Sequence, residues 1–184
     1  MRVVAGTLRG RRLKTPEGRS IRPTTDRIRE AIFNLLGPDL GACCALDAFA
    51  GTGALGIEAL SRGVDRVTFV DKDPMAQALV RENLKRCGLE GLAELLRSDA
   101  LGVLKQRGSE FGLIFLDPPY GQDLVLQALE NLVKLKLMEG LRVVCECEAQ
   151  LELPERVGRL RRIKQRRYGD TQVAIFEWQA NVDS

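Results

Sequence analysis

A glycine-rich turn between a strand and a helix constrains the fold of this 184-residue chain more than any other feature. The apolar run Cys43–Phe49 leads into the turn Gly51–Gly56, which has the pattern Gly-x-Gly-x-x-Gly. A helical stretch, Ala54–Arg62, overlaps the turn, and an apolar strand, Arg66–Val70, follows it. Strand, turn, helix and strand in this order are typical of a βαβ unit, whose two strands lie parallel in one sheet. The turn therefore predicts an α/β fold.

The same alternation continues along the rest of the chain. Asp73-Pro74 offers an N-cap and a first helical residue, and Gly88 is a typical helix end. Further predicted strands are Leu92–Leu96, Gly112–Leu116 and Leu141–Cys147. Further predicted helices are Ala100–Gln106 and one that begins at Asp123. Two extended segments, 159–167 and 171–178, follow and are joined by Tyr168–Asp170. At about 150 residues per domain, we expect one domain, 1–184.

The N-terminal part of that domain has a different character from the rest. Residues 2–14 mix apolar, glycine and basic residues, which predicts a short β-hairpin. Thr24, Thr25 and Asp26 offer N-cap side chains to an amphipathic helix that ends at Gly37. We therefore divide the domain into a basic hairpin-and-helix extension, 1–37, and a core, 38–184.

Composition excludes several kinds of site. The chain has no histidine, which removes mechanisms that need an imidazole as base, triad member or zinc ligand. Its five cysteines form no C-x-x-C pair, so we expect neither a disulfide framework nor a metal site. No apolar stretch approaches the roughly 18 residues of a membrane span, and no secretion signal is seen at the start. These features predict a cytoplasmic protein that does not bind membranes.

Charge is distributed unevenly, although the net charge is only +3. Residues 1–30 carry a net +6 and residues 156–184 a net +4, so the part between them carries −7. Basic clusters are how proteins neutralise nucleic-acid phosphates, whereas a solvated basic face is the ordinary alternative. The candidate nucleic-acid contacts are Arg9, Arg11, Arg12, Lys14, Arg22, Arg166 and Arg167.

Two carboxylates accompany the glycine-rich turn. Asp71 lies 20 positions beyond Gly51, at the end of the next strand, where a carboxylate accepts hydrogen bonds from ribose hydroxyls. These spacings fit either a dinucleotide or S-adenosylmethionine. Asp47, just before the glycines, would repel a pyrophosphate but suits a cationic amino-acid moiety, which favours S-adenosylmethionine. Further candidate cofactor contacts next to these positions are Phe49, Thr52, Gly53 and Lys72.

Asp99 and Ala100 follow the third predicted strand of the core, at the same edge of the sheet. A carboxylate at this place can accept a hydrogen bond from an adenine amino group. An aspartate after a strand is also a common helix N-cap. The sequence leaves both interpretations open, and both residues are kept as candidate cofactor contacts.

The motif Asp117-Pro118-Pro119-Tyr120 directly follows the strand Gly112–Leu116. Two prolines fix the backbone direction and leave carbonyl acceptors without neighbouring N–H donors. An amino group on a nucleobase is a poor nucleophile because its lone pair is delocalised into the ring. The Asp117 carboxylate and the Pro118 carbonyl can accept hydrogen bonds from its two N–H groups, while Tyr120 stacks on the base. The motif therefore predicts methyl transfer to a base amino group, with catalysis by positioning.

These residues resemble class I S-adenosylmethionine-dependent methyltransferases that carry an (Asp/Asn)-Pro-Pro-(Tyr/Phe) motif. Within that class, the chain is similar to the RsmD family of bacterial 16S ribosomal RNA guanine-N2 methyltransferases. The tetrapeptide is shared across the class, and the segment Arg22–Arg27 narrows the resemblance to the family. Other segments that carry it are Arg2–Gly6, Gly10–Leu13, Ala31–Asn34, Phe49–Gly63 and Tyr168–Thr171.

The resemblance implies a Rossmann-like, seven-stranded, mostly parallel sheet with an antiparallel last strand. It implies that Gly51 and Gly53 line the methionine and ribose side of S-adenosylmethionine, that Asp71 binds the ribose and that Asp99 meets the adenine. The residue that binds the ribose can be glutamate in this family, and the side chain of Asp71 is one methylene shorter than that of glutamate. We also expect Arg22–Arg27, including Thr24, to lie over the cofactor. The implied substrate is 16S ribosomal RNA, within the small subunit or a late assembly intermediate, and the protein is expected to be a monomer.

Other functions fit parts of the same pattern. DNA or other RNA adenine-N6 methylation uses the same tetrapeptide, but no separate target-recognition domain is evident in so short a chain. A dinucleotide-dependent oxidoreductase fits the glycine spacing but not the proline motif. A non-catalytic RNA-binding module fits the basic ends, and the intact Asp117–Tyr120 motif argues against it.

Overall fold

The computed structural model describes residues 1–16 and 25–179, in which helices and strands alternate along most of the chain. The helices are α1 (Asp26–Leu36), α2 (Ala54–Ser61), α3 (Pro74–Cys87), α4 (Ala100–Arg107) and α5 (Leu124–Leu132). The strands are β1 (Cys44–Asp47), β2 (Arg66–Val70), β3 (Ala93–Leu96), β4 (Leu113–Leu116), β5 (Arg142–Glu148), β6 (Arg156–Val157), β7 (Leu160–Tyr168) and β8 (Thr171–Trp178). Helical turns at Glu90–Leu92 and Gly108–Glu110 precede β3 and β4.

All of these strands join one sheet, in the order β3-β2-β1-β4-β5-β8-β7-β6. Strands β1 to β5 are parallel, and β8 is inserted antiparallel between β5 and β7. The strand order reverses at β1, between β2 and β4, and such switch points open a ligand crevice at the carboxyl ends of the strands. The predicted mostly parallel α/β sheet with an antiparallel last strand is confirmed.

The predicted number of seven strands is wrong by one. The two-residue strand β6 pairs antiparallel with β7 at the edge of the sheet, through Arg156 with Arg161 and Val157 with Leu160. A two-residue strand has no periodicity that a sequence pattern can reveal. Because β8 is antiparallel to both β5 and β7, the carboxyl end of β7 lies at the same edge of the sheet as the carboxyl ends of β1 to β5.

Helices cover both faces of the sheet. Strand β4 contacts helices on both sides. Leu113 and Phe115 pack with α1, α2 and α3, whereas Ile114 and Leu116 pack with α4 and α5. All four side chains are buried, as the alternating directions of side chains require for a central parallel strand. Within the described residues, no helix is long and apolar enough to span a bilayer.

Predicted caps account for several helix boundaries. Thr25 accepts a hydrogen bond from the Ile28 amide at the start of α1, and Asp73 accepts one from the Met75 amide at the start of α3. Gly88 ends α3 in the left-handed conformation. Asp123 precedes α5 but makes no side-chain cap; its backbone is itself left-handed, with φ 50°. The helix thus begins one residue later than Asp123, at Leu124.

The predicted N-terminal hairpin is smaller than expected. Residues 1–13 fold back on themselves through the isolated bridge between Arg2 and Arg12 and a hydrogen bond from the Val3 amide to the Arg11 carbonyl, 2.9 Å. No regular strand forms there, because the amides of Val4 and Ala5 donate to the Glu58 carboxylate of α2 instead of to the opposite arm. The segment is instead held by the core, chiefly by α2.

Candidate active site

A cavity of about 530 Å³ opens at the carboxyl ends of β1, β2, β4 and β5. It is lined by most of the residues that the sequence singled out: Asp47, Phe49, Gly51, Thr52, Asp71, Lys72, Asp99, Ala100, Asp117, Pro118, Pro119 and Tyr120. Gly53 is not among the lining residues and packs against Val80 and Phe69 instead. Thr24 and Arg22 lie outside the described residues. The structure thus brings the candidate cofactor and catalytic residues into one site, while their roles stay predictions.

The glycine-rich turn is fixed by close packing and by backbone geometry. Gly53 is the N-cap of α2 and has a left-handed backbone, φ 76°, which side chains rarely tolerate. Gly56 lies against β2, where an added Cβ would sit 2.3 Å from a ring carbon of Phe69. The first feature turns the chain sharply after β1, and the second lets α2 pack directly on the sheet.

The Asp47 side chain caps the N-terminus of α2. The N-cap Gly53 has no side chain, and Asp47 Oδ2, at the end of β1, accepts a hydrogen bond from the Gly56 amide at 3.0 Å. The carboxylate therefore interacts with the positive end of the α2 dipole. The almost complete burial of the side chain raises its pKa, the hydrogen bond from the Gly56 amide opposes this, and the neighbouring carboxylates of Asp117 and Asp71 add to it; together they raise the pKa to about 7.

Asp71 connects the end of β2 to the glycine-rich turn. Its Oδ2 accepts from the Gly51 amide at 2.9 Å, and its Oδ1 accepts from the Asp73 amide at 2.9 Å. A carboxylate can accept about four hydrogen bonds, so both oxygens keep acceptor capacity toward the cavity. The sequence predicted the place of this acid but not the bond that orients it.

Asp99 serves as the N-cap of α4, with Oδ2 accepting from the Gly102 amide at 2.8 Å. It also lines the cavity. The two interpretations that the sequence left open are therefore compatible, because one cap bond leaves the carboxylate with further acceptor capacity.

The segment Asp117–Tyr120 leaves β4 and runs along the mouth of the cavity. Pro118 is buried, and the Tyr120 hydroxyl lies 2.7 Å from the hydroxyl of Thr171, the first residue of β8. The next residue, Gly121, donates its amide to Glu148 of β5 at 2.5 Å. The motif is therefore held from one side by β5 and β8. Sequence reasoning missed both anchors, since they depend on how the strands are ordered in the sheet.

Glu146 is a residue of the cavity lining that sequence reasoning missed. It lies on β5 with only 6% of its surface exposed, and it lines the cavity together with Asp117. A signal was available, because a glutamate between the buried Cys145 and Cys147 is unusual for a central strand.

The predicted RNA contacts are mostly exposed. Arg9, Arg11 and Arg12 are exposed on the N-terminal segment, and Arg166 and Arg167 are exposed near the end of β7, at the edge of the sheet that carries the cavity. Lys14 is also exposed but forms an ion pair with Glu82 at 2.8 Å. Two arginine-bearing surfaces are thus available outside the cavity.

The N-terminal segment is attached to the core by buried polar groups. Glu58 of α2 accepts from the amides of Val4 and Ala5 at 2.8 and 2.9 Å. Asn83 of α3, fully buried, accepts from the Lys14 amide at 2.7 Å and donates to the Thr52 carbonyl at 2.9 Å. The basic segment is therefore anchored to the glycine-rich turn that lines the cavity.

Comparisons with known proteins agree with this geometry. A family model described as Conserved hypothetical protein 95 matches residues 1–177. YlbH of Bacillus subtilis (strain 168) is 44% identical over 182 residues, 96% of this chain and 98% of that protein. Ribosomal RNA small subunit methyltransferase D of Escherichia coli (strain K12) is 36% identical over 156 residues, 84% and 78% of the two chains.

A solved structure shows the same architecture. The structure of yhhF from Escherichia coli superposes with a TM-score of 0.86 at 32% identity, covering 98% of this chain and 99% of that one. The predicted Rossmann-like class I methyltransferase fold is thereby confirmed. With a family model and relatives that span most of its length, the chain belongs to the RsmD family, that of ribosomal RNA small subunit methyltransferase D.

Proposed function

We propose that this protein transfers the methyl group of S-adenosylmethionine to the exocyclic N2 amino group of a guanine in 16S ribosomal RNA. The observation that carries the proposal is that Asp117–Tyr120 and the glycine-rich turn line the same cavity. The Asp117–Tyr120 motif provides acceptors for an amine. The glycine-rich turn, together with the Asp71 carboxylate for the ribose hydroxyls, provides a nucleoside site. Membership of the RsmD family supports an rRNA methyltransferase.

The charges of the cavity fit S-adenosylmethionine better than a dinucleotide. Six carboxylates line it, those of Asp47, Asp71, Asp73, Asp99, Asp117 and Glu146, and Lys72 is the one cationic side chain among the lining residues that the structure describes. A pyrophosphate would be repelled by this set, whereas a sulfonium and an α-amino group are cations. When bound, the cofactor supplies an electrophilic methyl group on a positively charged sulfur.

Individual residues have separate proposed roles toward the cofactor. Asp71, already oriented by the Gly51 amide, would accept hydrogen bonds from the ribose hydroxyls, and Asp99 would accept one from the adenine amino group. Asp47 would neutralise the cationic end. The remaining proposed contacts are the backbone and side chains of Phe49, Gly51, Thr52, Lys72 and Ala100, with Gly53 shaping the turn and Thr24 as a contact from outside the described residues.

The proposed catalytic step requires a freed lone pair on N2. The Asp117 carboxylate and the Pro118 carbonyl accept hydrogen bonds from the two N–H groups. Tyr120 stacks on the base so that the nitrogen faces the methyl group. A bond from N2 to the methyl carbon would form as the bond from that carbon to sulfur breaks, and the electron pair of the broken bond would stay on sulfur. The extra proton on nitrogen passes to the Asp117 carboxylate and then to water. No imidazole is needed, in keeping with a chain that lacks histidine.

The two basic surfaces would hold the RNA. The N-terminal surface consists of Arg9, Arg11 and Arg12, with Lys14 and Arg22 as further proposed contacts, and the second surface consists of Arg166 and Arg167 at the cavity edge. We propose that residues 1–37 act as an extension of the core 38–184. The protein would act as a monomer in the cytoplasm, on the small subunit or a late assembly intermediate.

Charge reversal tests the N-terminal surface. Replacing Arg9, Arg11 and Arg12 with glutamate should weaken RNA binding and reduce the slope of log K against log salt by about 2 to 3, because each phosphate contact contributes about 0.7–0.9. The matched control reverses Lys105, Lys134 and Lys136, three lysines in or after the helices α4 and α5, and should leave the slope unchanged. Equal slopes for wild type and the arginine variant would refute the RNA-binding role of this surface.

The catalytic assignment has a separate test. Purified protein is incubated with methyl-labelled S-adenosylmethionine and either naked 16S RNA or small subunits that lack the modification. We expect label on RNA with wild type, and at least a 100-fold lower rate with Asp117→Ala while affinity for S-adenosylhomocysteine is retained. Equal transfer by the variant would show that Asp117 does not hold the amine. Preference for naked RNA over subunits would contradict the proposed substrate.

A further inference from the structure

Glu146 lies next to the proposed amine site because of the register of two parallel strands. Leu116, the last residue of β4, pairs with Cys145 of β5, so Asp117, just after β4, and Glu146, within β5, are the next residues along two neighbouring strands. Parallel neighbours are about 4.8 Å apart in the sheet. Both residues line the cavity, and Glu146 is 6% exposed.

A buried carboxylate at such a position lowers the stability of the folded protein. Burying an ionisable group costs several kcal/mol unless its surroundings or a ligand compensate. The methyl-transfer step as proposed uses Asp117, Pro118 and Tyr120 and gives Glu146 no part. A buried acid in a binding cavity is a candidate for ligand recognition rather than for packing.

Base chemistry indicates what an acceptor beside the amine can recognise. Adenine N6 and cytosine N4 each have one adjacent ring nitrogen, which is an acceptor, whereas guanine N2 lies between N1, which carries a hydrogen, and the acceptor N3. A carboxylate on the N1 side of the amine would attract the guanine N1–H, and in the other two bases the ring nitrogen beside the amine presents a lone pair to it. It therefore discriminates among bases that all carry an amino group.

We propose that Glu146 is the specificity-determining residue that selects guanine, by accepting a hydrogen bond from N1–H while Asp117 and Pro118 hold the N2 amino group. The inference rests on the proposed function and adds the source of base selection. A hydrogen bond to a charged group contributes about 1.5–3 kcal/mol, which corresponds to a roughly 10- to 100-fold preference in kcat/KM.

The base 2-aminopurine isolates this contact, because it keeps the 2-amino group but has an acceptor at N1. The modified nucleotide is first located by mass spectrometry, and small subunits are then reconstituted with guanine or 2-aminopurine at that nucleotide. Wild type should prefer guanine by roughly 10- to 100-fold in kcat/KM. Glu146→Gln should bring the two bases close to equal, since its amide can either accept from N1–H of guanine or donate to N1 of 2-aminopurine. Glu146→Asp should retain a preference for guanine at a lower rate.

Two controls separate recognition from structure. Glu94→Gln removes a carboxylate on β3 that does not line the cavity, and it should leave the preference unchanged. Affinity for S-adenosylhomocysteine should be the same in wild type and Glu146→Gln.

The possible outcomes distinguish the two proposals. Equal losses on both bases in Glu146→Gln would overturn the role of Glu146 while leaving guanine methylation intact. If wild type methylates an adenine, or no RNA at all, the proposed function itself fails.

Discussion

Replacing Asp47 with asparagine should stabilise the protein without cofactor, and more so as the pH rises. Asp47 is almost fully buried, and its pKa is raised to about 7 from the ordinary 3.8. Between these values the native state binds a proton that the unfolded state has released, so the free energy of unfolding falls as pH rises. The stabilising contribution is present below about pH 4 and is lost once the pH passes about 7.

The expected magnitude follows from the size of the shift. About three pKa units at 1.36 kcal/mol each give a penalty of about 4 kcal/mol above pH 7. Asparagine has no charge to bury, and its amide oxygen can still accept the bond from the Gly56 amide. At about 2–4 °C per kcal/mol for a chain of this size, the melting temperature of Asp47→Asn should exceed that of wild type by about 10 °C at pH 8 and by about 1–2 °C at pH 4.

Thermal unfolding without cofactor, followed by circular dichroism from pH 4 to 8, measures this difference. Asp65→Asn, which changes an exposed carboxylate, is the matched control and should show no comparable trend. An Asp47→Asn variant that is less stable than wild type at pH 8, or whose advantage does not grow with pH, would refute the reasoning about the buried charge.

The same residue links cofactor binding to pH. If a cationic ligand requires ionised Asp47, about 10% of the protein is competent at pH 6 and about 90% at pH 8 for a pKa of about 7. The Kd for S-adenosylmethionine in wild type should therefore fall about tenfold over this range. Asp47→Asn should bind more weakly and lose this part of the pH dependence, as calorimetric titrations of both proteins would show. Parallel pH profiles would exclude Asp47 as a partner of the cation.

Three other substitutions test individual contacts. Gly56→Ala should destabilise the protein by about 1–3 kcal/mol in urea unfolding, because its Cβ would lie 2.3 Å from an aromatic ring on β2, while Gly91→Ala, which meets nothing within 4 Å, should not. Asn83→Leu should release the N-terminal segment from the glycine-rich turn, which would appear as faster hydrogen exchange at the Lys14 amide; unchanged exchange would contradict this anchor. Tyr120→Phe loses one hydroxyl contact and should lower kcat/KM about 2- to 10-fold, whereas Tyr120→Ala, which also loses stacking, should lower it by a further 5-fold or more.

Local signals in the sequence were sufficient for much of the fold. Asp73-Pro74 and Gly88 marked the ends of α3, and the glycine-rich turn between apolar runs indicated the parallel βαβ unit. These features depend on caps, turns and hydrophobic periodicity, which act over a few residues. The order β5-β8-β7 and the two-residue β6 depend on pairing between distant segments, and the latter had no local signal.

The candidate site was predicted in its parts but not in its connections. Asp71 and Asp117 were identified because they follow strands that end at one edge of a parallel sheet. The role of Asp47 as a cap for α2 could not be predicted, because a bond across nine residues requires the actual packing of helix on strand. Glu146 and Thr171 reach the site only through the register of β5 and the insertion of β8.

Identification of the methylated nucleoside tests the whole account most directly. Small subunits that lack the modification are incubated with this protein and methyl-labelled S-adenosylmethionine, and the 16S RNA is then digested to nucleosides and analysed by mass spectrometry. We expect label in N2-methylguanosine, at one nucleotide of the RNA. Label in N6-methyladenosine, or no transfer to RNA by protein that binds the cofactor, would contradict it.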